Sequence, residues 1–309
     1  MPQQNLQQVR VIDPILTTVA QGYKQQDLIG NMLFPAVPVT VSGGQVIEFG
    51  KEAFRLYSTA RAPGGAVKTV QFGYLGKPFA LENHALAGLL PIEHQRDAQV
   101  TPGVDLAGRA LNNVMASMGL TLEVAQAALA LNASAYDNDH KVTLSAGTKW
   151  SAETGTPIAD IEAGKEVVRG STGRYPNVAT FSAVAWKAFK NNPDVLDRIK
   201  HTQRGVVTTE LAAQLLDVEK VVVGKAVSAN AAGTFSDVWG NNVVLSYSAL
   251  GSLGAEEPSY GYTYTMVGHP MAEEAYYDRD HKAWKFPVGF ERAPVLSGIA
   301  AGYLIINPN

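Results

Sequence analysis

Cysteine is absent from all 309 positions, which excludes a disulfide framework and thiolate metal binding together. Charge is scarce as well. Asp, Glu, Lys and Arg make up 17% of the residues, against roughly 25% in an average globular chain. A surface so poor in charge is buried extensively, either within the chain or between chains. No stretch of about 18 uncharged apolar residues occurs, so no membrane-spanning helix is expected. The opening octet, Met-Pro-Gln-Gln-Asn-Leu-Gln-Gln, has neither the basic region nor the apolar run of a secretory signal. The chain is therefore expected to be made soluble in a cytoplasm. With 25 basic against 28 acidic residues, a formal charge of −3, no global field draws the chain to nucleic acid or to an anionic membrane.

Hydrophobic residues form 46% of the sequence, alongside 29 glycines and 16 prolines. That is enough apolar material for two modest cores or one elaborated domain. The glycines and prolines imply many turns and extended arms that cannot make a compact core alone, which favours burial between chains.

Residues 1–45 read as an arm. Asp13 and Pro14 supply the N-cap and first position of a short helix with Ile15, Leu16 and Val19 on one face. Leu28, Ile29, Met32, Leu33 and Phe34 are too apolar to remain in water, and Pro35 and Pro38 stop further helix. Such a face must lie on something, and a neighbouring subunit is one candidate. Val46–Phe49 and Val67–Phe72 alternate as strands of a hairpin whose basic tip runs from Arg55 to Gly65. A helix is expected over about 102–132, with Thr101 as N-cap and Pro102 at its first position. Leu111, Met115, Met118, Leu122, Ala125 and Leu129 recur on one face at alternating spacings of four and three.

Beyond a polar connection at 137–156, a helix over Ile158–Val168 ends at Gly170, suited to the left-handed C-terminal position. Buried strands are expected at Asn177–Ser182 and Lys220–Ala226, with helices over 183–190, 193–200 and 208–217 between them. Thr208 or Thr209 caps the last of these. Val243–Tyr247, Tyr260–Met266 and Tyr303–Ile306 continue as strands, and 284–309 is mostly extended. This half reads as mixed α+β.

No catalytic constellation accompanies these elements. The six histidines, His84, His94, His140, His201, His269 and His281, include no zinc-protease pair at i, i+4. Asp278, Asp280 and His281 form the densest polar cluster, which reads as a solvated turn. Asp137, Asp139 and His140 lack the glycine and terminal glutamate of a calcium loop and read the same way. G-x-S-x-G, G-x-x-x-x-G-K-[ST] and G-x-G-x-x-G are all missing. Tyr260, Tyr262 and Tyr264 alternate in a strand without basic neighbours, so they line a sheet or an interface more readily than they stack on bases. No catalytic, cofactor-binding or metal-binding residue is assigned, and no enzymatic activity is expected.

Order and spacing along 148–227 carry one resemblance. They comprise the acidic-then-basic helix from Asp160-Ile161-Glu162 to Arg169, the turn Thr172-Gly173-Arg174 and the strand Asn177–Ser182. The helical Ala185-Trp186-Lys187-Ala188, the phrase from Asn192-Pro193-Asp194 to Ile199 and the strand Lys220–Gly224 complete the pattern. The stretch resembles the central part of tailed-bacteriophage major capsid proteins, which share the Hong Kong 97-type capsid fold. The resemblance implies an α+β chain with an N-terminal arm (1–45), an extended β-hairpin loop (46–80) and a peripheral domain (81–170 and 270–309) with a spine helix at about 102–132. An axial mixed α/β domain would cover 171–269. It implies a shell-building protein of the virion that forms hexamers and pentamers and then an icosahedral shell around double-stranded DNA, near which its inner face lies without gripping it.

Lys51, Arg55, Arg61 and Lys68 would then meet acidic groups of a neighbour, and Leu28 and Phe34 would lie at inter-subunit contacts. Some members link subunits by a lysine–asparagine isopeptide bond, but no matching motif places it here, so non-covalent assembly is expected. A separate scaffolding protein, a portal and a decoration protein are the further partners the resemblance brings. Two other readings stand beside it: an encapsulin-like nanocompartment shell, and a soluble hydrolase built on Asp278, Asp280 and His281.

Overall fold

The computed structural model describes residues 28–48, 60, 75–99, 105–200, 207–230, 232–249 and 259–309. In chain order the first part comprises α1 (Gly30–Leu33), β1 (Ala36–Val39), β2 (Gly43–Glu48), β3 (Leu75–Ala80), β4 (Glu82–Pro91), α2 (Ile92–Gln99), α3 (Leu106–Ala130) and β5 (Lys141–Thr143). The middle comprises α4 (Pro157–Thr172), β6 (Val178–Ser182), α5 (Ala183–Asn191), α6 (Pro193–Ile199), α7 (Thr209–Leu216), β7 (Lys220–Gly224), β8 (Val227–Ala229), β9 (Phe235–Asp237) and β10 (Asn242–Ser246). Then follow β11 (Gly261–Met266), β12 (Met271–Ala272), β13 (Tyr276–Asp278), β14 (Ala283–Leu296) and β15 (Gly302–Ile306).

Five strands in the order β5-β15-β10-β6-β7 form one sheet, with β6 parallel to β7 and β10 antiparallel to both β6 and β15. Apolar side chains stand on both faces of its central strands because both faces are covered. Ala179, Phe181, Val221, Val243, Leu245, Tyr303 and Ile305 turn to one core, which holds Trp150, Ile161, Val168, Phe189 and Leu216. The intervening Val178, Val222, Val244 and Leu304 turn to a second core with Leu33, Phe34, Ala127, Tyr136, Trp239 and Tyr260. The period of two along each strand thus separates the cores. Lys165, itself buried on α4, donates to Leu216 O at 2.6 Å, placing a cation at the C-terminal end of α7, where the helix dipole favours one.

The other sheet is built around the 14-residue β14. One side of β14 pairs with β4 over ten residues, from Ala283↔Pro91 to Arg292↔Glu82. The other side pairs in succession with β13, β12 and β11, and β11 pairs in parallel with β1. Helix α3 lies across this sheet, burying Leu111, Val114, Met115 and Met118 against Ala272 and Val288. β2 and β3 pair from Gly43↔Ala80 to Glu48↔Leu75, so they close a hairpin around residues 49–74. The expected strand Val67–Phe72 and the helix begun by Asp13 lie outside the described residues.

Several expectations shift. Helix α3 starts at Leu106, and Asp105, not Thr101, is its N-cap: its carboxylate accepts from Gly108 N–H at 2.9 Å. A Cβ on Gly108 would sit 2.3 Å from Asp105 Oδ2, so glycine there permits the cap. The buried stripe begins as expected at Leu111, Met115 and Met118, then passes to Glu123, Gln126, Ala127 and Ala130. A 3.5-residue repeat drifts by about 20° per heptad on a straight helix, and so Leu122, Ala125 and Leu129 rotate to the rim. Helix α4 runs past Gly170 to Thr172, and Gly173 takes the left-handed position with φ 70°. Ser171 and Thr172 hydroxyls donate back to Val167 O and Val168 O, carrying the turn onward.

Strand pairing also divides the chain differently from the expected boundaries. β15 and β5 join the five-stranded sheet, whereas β11 joins the sheet of β14. Tyr303–Ile306 is apolar on both sides, and a place between two cores is what such a strand requires.

One side chain ties these parts together. Glu123, buried in the middle of α3, accepts from Ile29 N–H at 3.1 Å, Gly30 N–H at 2.7 Å and Trp239 Nε1–H at 2.7 Å. Beside it Gln126 donates to Thr263 Oγ1 at 2.9 Å, and Thr263 donates to Phe34 O at 3.1 Å. Removing Glu123 leaves three buried donors unpaired. Glu123→Ala is expected to cost the unassembled subunit about 3 kcal/mol or more, read by urea denaturation. A loss under about 1 kcal/mol would contradict that role.

Candidate assembly surfaces

The polar clusters resolve into structural hydrogen bonding. Asp278 ends β13, and its Oδ1 accepts from Asp280 N–H at 2.9 Å while Oδ2 pairs with His281 Nδ1 at 2.8 Å and with Lys285 Nζ. The Lys285 ammonium, then the His281 hydrogen bond, hold the Asp278 carboxyl well below the usual carboxylate range. Its acceptor positions are taken by the turn it closes, and His281 projects into solvent. Of the cluster behind the hydrolase reading, Asp278 is thus committed to its own turn, while Asp280 is exposed. His140 does not sit in a solvated turn with Asp137 and Asp139: it is buried, with Nδ1 3.0 Å from Gly302 O and Nε2 2.9 Å from Ser171 Oγ. It bridges β15 to α4, because the 3-10 turn Asn138–His140 rolls the ring inward. Among the described residues, no group of three or more His, Asp or Glu is placed to hold a metal.

Phe34 is 0% exposed and packs on Tyr260 with ring centroids 5.5 Å apart. It is spent inside its own subunit and is not available to a neighbour. The reason is local: α1 is pinned by Glu123, and that pin turns the following residue into the second core. Leu28 is half-buried just before α1. Lys51, Arg55, Arg61 and Lys68 lie outside the described residues. Tyr260, Tyr262 and Tyr264 are all buried, Tyr264 stacking on Phe79 at 4.3 Å. They line the sheet.

Several of the large apolar side chains that reach solvent lie on strand edges and hairpins, others on helices and loops, as Val124 and Leu196 do. Leu86 and Leu89 of β4 are 45% and 50% exposed, with Ile92 following at the start of α2. Val227 and Phe235 lie on the β8–β9 hairpin, Phe235 being 73% exposed, and Tyr276 and Tyr277 stand on β13. Sequence reading missed these positions. The signal available for β4 was a run of apolar residues at both parities without the alternation of a half-buried strand.

Tyr136 and Tyr260 meet hydroxyl to hydroxyl at 2.5 Å inside the second core, and Tyr136 donates to Ala130 O at 2.8 Å. Burial pushes both phenols up from their ordinary value, Tyr260 further through the neighbouring Tyr136.

The family described as phage major capsid protein E matches residues 134–259, the stretch that holds most of the five-stranded sheet. The major capsid protein of Burkholderia phage BcepMu is 35% identical over 309 residues, 98% of this chain and 99% of that protein. The crystal structure of a phage-related protein from Bordetella bronchiseptica RB50 is 42% identical with a TM-score of 0.85, covering 97% of this chain and 98% of that one. The capsid structure of cyanophage P-SCSP1u has a TM-score of 0.59 at 10% identity, covering 92% and 89%. That last likeness is one of fold, and the fold is the Hong Kong 97 type.

The tyrosine pair gives a pH test. Folded-state values above the unfolded one of about 10 contribute stability that is intact below pH 10 and lost as pH rises through the folded values. Urea midpoints of the unassembled subunit are expected to hold up to about pH 10 and then fall. Tyr136→Phe should flatten that alkaline slope, and an unchanged slope would count against the pair as its source.

Proposed function

The chain belongs to the family of phage major capsid proteins, and we propose that it builds the head by joining weak edge contacts into hexamers and pentamers that close around double-stranded DNA. As a major capsid protein it is a structural component of the virion, associating with copies of itself. The observation that carries the mechanism is the contrast between body and edges. The five-stranded sheet is sealed on both faces within one subunit, while β4, the β8–β9 hairpin and β13 present large apolar side chains to solvent. Each such contact is small, but closure of a lattice makes the contacts intramolecular, so their sum holds the shell.

The N-terminal arm (1–45) and the loop (46–80) are the parts proposed to engage neighbouring copies. Over 49–74 the loop carries Lys51, Arg55, Arg61 and Lys68 against one acid, Glu52, which suits it to acidic groups on a neighbour. A net charge of −3 suits a shell that encloses DNA without binding it. A scaffolding protein, a portal and a decoration protein complete the proposed set of partners, and the chain itself performs no catalysis. The nanocompartment alternative shares the fold, but the near-full-length relative is a phage head protein.

Negative-stain images of the expressed protein should show closed shells of uniform diameter, and nuclease-protected DNA in heads from infected cells. Boiled shells should run as a single band at the subunit mass of 33.0 kDa on a denaturing gel. A ladder of multimers would overturn the non-covalent part. A discrete small oligomer without shells would overturn the lattice itself.

A further inference from the structure

Among the described residues the outer edge of β4 pairs with no other strand. Ile92 N–H donates to Lys282 O at 3.1 Å, and the uninterrupted register with β14 carries that parity along the ladder. Even-numbered residues of β4 therefore bond to β14. Glu273 N–H, donating to Pro287 O at 3.0 Å, fixes the opposite parity on the far side of β14. The N–H and C=O groups of Asn83, Ala85, Ala87 and Leu89 consequently point away from β14, and no donor or acceptor among the described residues meets them. On that outer side Leu81 N–H still reaches Ser42 O at 2.8 Å, where β2 begins; beyond it the described pairing stops.

Such an edge invites another strand, and proteins that keep theirs free blunt it with lysine, internal proline or a bulge. β4 has none of these: its proline is its last residue, it contains no lysine and its register has no slip. Apolar side chains stand along it instead, Leu86 and Leu89.

Beside this edge lies a cleft of about 340 Å³ lined by Asn83, His84, Leu86, Met118, Thr121 and Arg292. Arg292 on β14 is 2% exposed. Its guanidinium donates to Met118 O and lies 4.5 Å over the Phe290 ring. Among the described residues no carboxylate pairs with it; Glu82 reaches only His84, at 3.8 Å. Burial lowers the Arg292 pKa to about 10. A buried guanidinium without a counter-ion is destabilising until an anion joins it, and a carboxylate fits its planar fork.

We propose that an extended segment of a second copy of this chain adds as a strand to the outer edge of β4 and places a carboxylate side chain in the cleft on Arg292. A second copy is the occupant because the protein exists as a lattice of itself. The inference rests on that shell reading. Backbone bonding supplies the length of the contact, and the ion pair favours the registers that bring an acid to Arg292.

Hydrogen–deuterium exchange of the wild-type protein, comparing unassembled subunits with purified shells, tests the strand. Peptides covering 82–91 should exchange at least about 100-fold more slowly in shells. Equal rates in the two states would overturn it. Thr121→Glu tests the ion pair, because it brings a carboxylate of the same subunit into the cleft from an exposed helix position. The variant subunit should melt no lower than wild type yet assemble at least about 10-fold less. Wild-type shell yield from a folded variant would remove the carboxylate from the account. If the wild-type chain formed no shells at all, the shell reading itself would fail, an outcome distinct from shells with an unprotected β4.

Discussion

A single buried carboxylate decides how the rest of this subunit is arranged. Glu123 must find donors once α3 is packed, since a buried acceptor left unpaired costs more than any one of its contacts returns. The donors come from two places far apart in sequence, the backbone at the start of α1 and the indole of Trp239. Meeting all three requires the second half of α3 to leave the β14 sheet and enter the second core. It also requires the chain before β1 to stop at one point on the body. Gly30 is the residue that allows the approach, because a Cβ there would collide with Gln126 and Glu123. From that point β1 can run only along β11, and Phe34 can only turn inward.

That constraint separates what the subunit completes alone from what it leaves open. The five-stranded sheet, with aromatic and branched residues on both faces, needs nothing from outside. Trp150 illustrates the degree of closure: its indole donates to Asp160, its carbonyl accepts from Asn192, and its amide donates to Pro308 O. The sheet around β14 is different. Its α3-facing side buries helix side chains, but among the described residues its β4 edge carries unpaired backbone and apolar side chains, with a guanidinium that meets no acid behind them. A scarcity of charge across the whole chain follows from the same division, since surface that becomes interface has little use for ionised groups.

Much of the body was legible from sequence. One cap was legible chemically, Thr208 ahead of α7, which accepts the bond its position suggested, whereas the cap of α3 fell on Asp105 and not on Thr101. Strands with long apolar runs, such as β6, β7 and β15, were visible because burial on both faces leaves no room for alternation. What could not be read was partnership. Nothing in Tyr303–Ile306 says which sheet it joins, and nothing in a glutamate on a helix says that three donors from elsewhere will surround it. His140 was similarly opaque, being grouped in sequence with two aspartates and in space with Gly302 and Ser171. Of the proposed contact residues, Phe34 was apolar enough to require cover, and its cover came from its own chain. The β4 edge went unnoticed because an unpaired edge is a property of the sheet and not of the strand's composition.

The central claim is that closure of a lattice, and no single interface, holds the copies together. Sedimentation velocity of the purified wild-type chain over a wide range of concentration addresses it directly. The account predicts two boundaries only, free subunit or small capsomer and closed shell, with a sharp threshold above which all added protein enters the shell. A population of subunits that stays monomeric or dimeric at every concentration, or one that grows gradually through open-ended oligomers without a threshold, would contradict it.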